Sequence, residues 1–119
     1  MNTSLEMEDL IGLFESEPNG EYSDDTPWQY QQVSFLTKRD NETLSVQISE
    51  SIGEIKILWR NELKILTKIS LTDMDSFSVH TQKSDEFLSV NGALGDYAIS
   101  LKLRLKPCIS VEFNQVRDF

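Results

Sequence analysis

The sequence is poor in the residues that most often carry chemistry, with a single cysteine, Cys108, and a single histidine, His80. One cysteine cannot form an intrachain disulfide, and zinc sites built on cysteine need several of them. One histidine excludes His-rich metal sites and leaves a catalytic triad without a predictable partner. We therefore expect a protein that is not an enzyme and that uses no metal or cofactor.

Long apolar runs are also absent from the sequence. No stretch approaches the ~20 apolar residues of a membrane-spanning helix, and the N-terminus lacks the basic region and apolar stretch of a secretory signal. The 119 residues, 39% of them hydrophobic and 26% charged, suit one folded domain. We expect a cytoplasmic single domain, 1–119, that is a monomer or a weak dimer and has no membrane partner.

Basic residues are missing from the first 27 residues, which carry eight acidic ones. The whole chain has 20 acidic and 11 basic residues and a net charge of −9, so this segment supplies most of the imbalance. We expect an acidic arm, 1–27, made of a helix and a loop, and a nearly neutral β body, 28–119. Because an acidic protein repels nucleic acid and anionic membranes, the charge excludes non-specific binding to either and favours a basic protein partner.

The acidic arm begins with a helix pattern. Thr3 and Glu6 fit a capping box, in which each side chain accepts a hydrogen bond from the other residue's backbone N–H. A Pro-Asn-Gly sequence at 18–20 ends the pattern. This predicts an amphipathic helix over Thr3–Phe14 and then a polar loop over residues 19–27. The apolar stripe of the helix comprises Met7, Leu10, Ile11 and Phe14.

From Trp28 onward, apolar residues alternate with polar ones, which is typical of β-strands with one buried face. We predict a strand with a bulge over Trp28–Phe35 and a second strand over Leu63–Leu71. The most regular alternation of apolar and polar residues surrounds Leu101, which we expect to be buried. In all, about seven to eight strands with short turns favour antiparallel neighbours. The predicted fold class is mainly β (α+β): an antiparallel β-meander, as a curved sheet or a partly open barrel, with one N-terminal helix.

Several basic residues occupy the strand positions that alternate with the apolar ones. If their strands are neighbours, one sheet face is basic, with a small apolar centre at Leu58 and Leu66. Such a face is either simply solvated, or docks an anionic group, or is neutralised by the acidic arm. The residues are Lys56, Arg60, Lys64, Lys68, Lys102, Arg104 and Lys106.

The sequence predicts one acidic domain with a capped helix at Thr3–Phe14, followed by a β-meander such as Leu44–Phe113. With these features the chain resembles the small immunity proteins of bacterial toxin–immunity systems. The resemblance spans the chain and implies a non-enzymatic inhibitor that binds a cognate toxin and blocks its active site or substrate entry. It also implies a basic partner, because many such toxins are nucleases with basic surfaces, and complementary charge speeds association. The residues that we expect to bind the partner are Glu6, Asp9, Glu21, Tyr22, Asp24 and Asp25.

Two other functions also fit the pattern. A curled sheet with Trp28, Trp59 and Tyr97 around its open end predicts a small-ligand-binding, barrel-like domain. An exposed edge strand such as Ile109–Phe113 favours an adaptor or structural subunit that adds a strand to a complex.

Overall fold

The computed structural model describes residues 5–18, 26–82 and 85–117. Its fold is mainly β, as predicted, with eight antiparallel strands in two four-stranded sheets, one α-helix and, among the described residues, no closed barrel. Within the same residues, no helix has the length and apolar character needed to cross a membrane. In chain order the elements are α1 (Met7–Phe14), β1 (Val33–Arg39), β2 (Glu42–Ser49), β3 (Glu54–Asn61), β4 (Ile65–Leu71), β5 (Met74–Gln82), β6 (Asp85–Leu94), β7 (Tyr97–Lys106) and β8 (Ser110–Arg117).

Backbone contacts divide the chain into two compact units. The β1–β4 unit comprises Phe14–Thr72, and the β5–β8 unit comprises Met1–Leu13 with Asp73–Phe119. Each unit contains one sheet, because β4 and β5 belong to different sheets. The sequence pattern did not predict this break, and the single domain with an acidic arm stays a prediction.

The β1–β4 unit contains the first sheet, in which each strand pairs with the next. The predicted alternation sets its faces, since one face buries side chains such as Phe35, Val46 and Ile57 and the other bears mostly polar ones. Phe14 stacks on Phe35 with ring centroids 4.8 Å apart, and the Thr37 hydroxyl donates to the Phe14 carbonyl oxygen over 3.2 Å. These two contacts attach the last helical residue to β1.

The β5–β8 unit contains the second sheet, which has the same sequential order. The alternation predicted for β7 is confirmed, because Leu101 and Leu103 are fully buried and the residues between them are not. Gly95 has a φ of +60° in the turn between β6 and β7, a conformation that glycine adopts without steric cost. In the same unit, α1 buries Leu10 and Leu13.

The helix is shorter than predicted at its start, whereas its last residue, Phe14, is the one predicted. It begins at Met7, not at the predicted cap Thr3, which lies outside the described residues. Asp9 Oδ2 accepts a hydrogen bond from the Glu6 backbone N–H over 3.1 Å, and this satisfies one of the free donors at the start of the helix. The helix ends before Glu15, whose positive φ of 55° is incompatible with a further helical turn.

Two predicted strands have different bounds in the structure. Trp28–Tyr30 forms a 3₁₀ turn instead of the start of a strand, and β1 follows it. Leu63 is 93% exposed in the turn between β3 and β4. There Asn61 Oδ1 accepts the backbone N–H groups of Leu63 and Lys64 over 2.8 and 2.9 Å. Because the Asn61 side chain binds the backbone N–H groups that would otherwise pair with β3, β4 begins only at Ile65.

Candidate partner-binding surfaces

The first candidate surface lies at the start of α1, where Glu6, Glu8 and Asp9 are exposed. Carboxylates are stabilised there by free backbone N–H groups and by the positive end of the helix dipole. Asp9 has a structural role of this kind, since it accepts the Glu6 N–H. The Glu6 carboxylate has no hydrogen-bond or ion-pair partner in the described part of the chain, so it is accessible to a binding partner.

An open cleft of about 250 Å³ lies beside this helix within the β5–β8 unit. Its helix wall bears Glu8 and Asp9, and its sheet wall includes Glu86 and Lys106. The Lys106 ammonium lies 3.6 Å from the Glu86 carboxylate, so these two charges compensate each other. The helix wall therefore supplies the uncompensated negative charge of the cleft.

The predicted acidic loop residues Glu21, Tyr22, Asp24 and Asp25 lie outside the described residues. A binding surface that combines them with Glu6 and Asp9 therefore stays a prediction.

The seven predicted basic residues do not share one sheet face. Lys56 and Arg60 on β3 and Lys68 on β4 lie in the first sheet. Lys64 is not on a strand at all, because it lies in the turn organised by Asn61. The condition for one shared face, that all these strands are neighbours, is therefore not met: alternation gives the face that a residue occupies within its strand, whereas strand pairing depends on distant parts of the chain. The remaining three lie on β7 in the second sheet, namely Lys102, Arg104 and Lys106.

The first sheet gathers four exposed basic side chains on the face opposite its buried residues. The strand register sets their places: Lys38 and Arg60 lie on either side of Thr43, and Lys68 is opposite Leu58. Leu36 and Leu58, both half-buried, lie in the same cross-strand row and form an apolar centre. We call this surface the first-sheet basic face, with the basic residues Lys38, Lys56, Arg60 and Lys68.

The basic residues of this face form no ion pair with any residue that the structure describes. None of the four has a hydrogen-bond or ion-pair partner among the described residues. Glu54, at the end of β3 remote from Arg60, is the one acidic residue that the described strands place on this face. An open pocket of about 390 Å³ between β2, β3 and β4 has Lys56, Leu58 and Lys68 in its wall. The face therefore combines accessible positive charge with a shallow apolar surface.

Sequence reasoning missed Lys38, which completes this face. The predicted first strand ended at Phe35, whereas β1 continues to Arg39. The signal was present, because Val33, Phe35 and Thr37 alternate as buried residues and place Lys38 on the opposite face.

The second sheet differs in that its predicted basic residues are paired with acidic ones. The Arg104 Nε lies 2.8 Å from the Asp85 carboxylate. Lys102 lies 4.0 Å from Glu112, and Lys106 lies 3.6 Å from Glu86. The partners come from the neighbouring strands β6 and β8, so pairing within the sheet compensates the positive charge.

Phe87 organises the same face of the second sheet. His80 stacks on its ring with centroids 4.7 Å apart, and the His80 Nε2 forms a 3.1 Å hydrogen bond with the Ser78 hydroxyl. The Lys102 ammonium and the Arg104 guanidinium lie 4.6 and 5.6 Å from the ring centroid, within the range of cation–π attraction. This cluster holds the single histidine in structural contacts.

The aromatic residues proposed to line a ligand cavity have different environments. Trp28 is buried, and the Trp59 indole N–H donates to Glu42 over 3.2 Å, both within the β1–β4 unit. Tyr97 belongs to the β5–β8 unit and is exposed at the start of β7. A ligand cavity around the three stays a prediction.

Comparison with known proteins gives a likeness at the level of structure. No protein-family model matches the chain, and no curated protein matches it in sequence. The fold matches a chain in the solved structure of a contact-dependent growth inhibition toxin–immunity protein complex from Klebsiella pneumoniae 342, with a TM-score of 0.78. The match covers 94% of this chain and 95% of that chain at 18% identity. The predicted resemblance to toxin–immunity systems is therefore confirmed as a shared fold.

Proposed function

We propose that this chain is an immunity protein, a non-enzymatic inhibitor that binds a cognate bacterial toxin and covers its active site. The observation that carries this proposal is the nearly end-to-end fold likeness to a chain of a toxin–immunity complex. Because the match includes almost all of both chains, it is a likeness of whole folds and not of one shared hairpin. An immunity protein acts by binding alone, so this function requires a surface and no reactive groups.

The single histidine and the single cysteine of the sequence, His80 and Cys108, lie in different environments. His80 is held by Phe87 and Ser78, and the described residues contain no cluster of His, Cys, Asp or Glu able to bind a metal ion. Cys108 is exposed in the connection between β7 and β8.

The acidic residues supply a mechanism for recognising a basic toxin. Glu6 and Asp9 are exposed at the start of α1, and the predicted loop residues Glu21, Tyr22, Asp24 and Asp25 extend the same acidic arm in sequence. Negative charge concentrated in one segment steers a positively charged protein toward it and raises the association rate. We propose that this segment contacts the toxin close to its substrate-binding surface.

The experiment that tests the function begins with a tagged chain used as bait in a lysate of the source organism at low salt. The captured protein is identified by mass spectrometry and then expressed in bacteria, alone and together with this chain. We expect growth arrest by the captured protein alone and normal growth on co-expression. Growth arrest caused by this chain itself, or arrest that co-expression leaves unrelieved, contradicts the proposal.

The acidic surface is tested by the association rate with the captured toxin domain. Replacing Glu6 by Gln and Asp9, Asp24 and Asp25 by Asn should slow association about tenfold at low salt. The control variant replaces four aspartates elsewhere in the chain by Asn, which gives the same change in net charge. Asn is a suitable substitute because it also tolerates the positive φ that two of these positions adopt. An equal effect of both variants would attribute the change to net charge alone. The control residues are Asp40, Asp73, Asp75 and Asp96.

A further inference from the structure

We propose that the first-sheet basic face is a second docking surface, which binds an acidic patch on the toxin. This inference rests on the proposed function, because the toxin is the partner that it names. It assigns a role to the four basic residues that the acidic surface does not involve, Lys38, Lys56, Arg60 and Lys68.

The basic residues of this face lie close to one another and have no ion-pair partner among the described residues. Lys56 and Lys68 are diagonal neighbours across β3 and β4, since Lys68 is opposite Leu58. Like charges this close repel each other, and a carboxylate between them would remove the repulsion. On β7 of the same protein, acidic residues at neighbouring strand positions supply such carboxylates. On the first sheet no described residue does so, and an acidic partner would.

The shape and composition of the face suit a folded protein. Leu36 and Leu58 lie at its centre, and the basic residues lie around them. A central apolar area with charged residues at its margin is the usual anatomy of a protein interface. Four strands spaced ~4.8 Å apart separate Lys38 on β1 from Lys68 on β4 by roughly 14 Å across the sheet, and the register also offsets them by two positions along the strands. A single small anion cannot reach both residues, whereas a protein surface can.

Nucleic acid is a poorer match for this face. Proteins that bind single strands on a sheet stack the bases on aromatic side chains. The described strand residues on this face are aliphatic, basic, amide or hydroxyl side chains, apart from Glu54 at its end. The net charge of −9 also repels a polyanion, whereas it attracts a toxin whose overall charge is positive, and only the basic face attracts an acidic patch on that toxin.

The experiment measures the affinity of the toxin domain captured with the tagged chain. Charge reversal at two residues, Lys56→Glu with Lys68→Glu, should weaken binding at least about 30-fold, because each reversal turns an attraction into a repulsion. Leu58→Ala should weaken it about tenfold if the apolar centre is buried by the partner. Lys64→Glu in the neighbouring turn is a control with half of that change in net charge, and it should change the affinity less than about threefold. Thermal unfolding of each variant, measured without toxin, should match that of the original chain.

The possible outcomes separate this inference from the proposed function. If the original chain binds and protects while Lys56→Glu/Lys68→Glu does so equally well, the docking surface is wrong and the function stands. If the original chain neither binds nor protects, both are wrong. Two further results also overturn the inference: a dimer of the free protein that the double variant dissociates, and binding of a labelled 20-nucleotide RNA that it abolishes. The first would assign the face to a second copy, and the second to nucleic acid.

Discussion

The first sheet (β1–β4) and the second sheet (β5–β8) are built in the same way and yet differ on their exposed faces. Each is a four-stranded antiparallel sheet in sequential order, with an apolar face that is buried. Each also places basic residues on the opposite face. On β7 these residues pair with Asp85, Glu86 and Glu112, whereas on the first sheet they have no partner among the described residues.

The exposed faces of the two sheets also differ in the side chain at their centre, and not only in the acidic residues that pair with the basic ones. In the second sheet the aromatic ring of Phe87 attracts Lys102 and Arg104, and His80 covers it. In the first sheet the corresponding centre is Leu58, an aliphatic side chain that gives a cation no electrostatic attraction. We infer that the exposed face of the second sheet is stabilised by contacts within the sheet, and that the first-sheet basic face is available to a partner.

The largest expected effect tests whether stability resides in the buried faces. Leu101→Ala removes a fully buried side chain from the second sheet and should lower the free energy of unfolding by about 2–5 kcal/mol. Urea denaturation followed by circular dichroism measures this change.

The matched control for this prediction is Leu63→Ala. Leu63 is 93% exposed in the β3–β4 turn, so the same substitution should cost less than about 0.5 kcal/mol. Similar costs for the two variants would mean that burial does not distinguish these positions, and the assignment of faces would fail.

The faces themselves could be predicted from the sequence, because alternation is a local property of each strand. Leu101 was expected to be buried, and it is. The ends of the elements were predicted less well. Asn61 caps the β3–β4 turn with its side chain, and Asp9 places the start of the helix after Glu6. Both signals were in the sequence, but each competed with an equally plausible pattern beside it.

The partition into two sheets could not be predicted, because it depends on pairing between distant segments. The Arg104–Asp85 pair joins residues 19 positions apart, and only the register of β6 with β7 brings them together. The division of the seven basic residues into paired and unpaired sets follows from the strand registers of both sheets. The contrast between the paired basic residues of the second sheet and the unpaired ones of the first could therefore not be predicted from local sequence patterns.

The next expected effect concerns the aromatic cluster of the second sheet. Phe87→Leu keeps an apolar side chain but removes the ring that His80, Lys102 and Arg104 contact. We expect a loss of about 1 kcal/mol in the free energy of unfolding, because stacking and cation–π contacts at exposed positions are each modest. Phe113→Leu, on the edge strand β8, is the control and should cost clearly less. Equal losses in the free energy of unfolding would show that the contacts of the Phe87 ring with His80, Lys102 and Arg104 add nothing to stability. Phe87 would then not distinguish the second sheet from the first.

The smallest expected effect tests the contrast most directly, with the same substitution at one arginine of each sheet. Arg104→Gln breaks a 2.8 Å pair with Asp85 and should lower the free energy of unfolding by about 0.5–1 kcal/mol, since both groups are partly exposed to solvent. Arg60→Gln removes a charge that has no described partner, so stability should stay the same or rise slightly as repulsion from the neighbouring basic residues falls.

Urea denaturation of both variants at 50 mM and 1 M NaCl measures this contrast. High salt screens the exposed pair, so the cost of Arg104→Gln should shrink at 1 M NaCl. The Arg60→Gln variant should show no loss at either concentration, because it breaks no attractive pair. A loss for Arg60→Gln as large as that for Arg104→Gln at low salt would mean that the first sheet also compensates its charge internally. In that case its basic face would be a stabilising feature of the fold, and its charge would require no acidic partner.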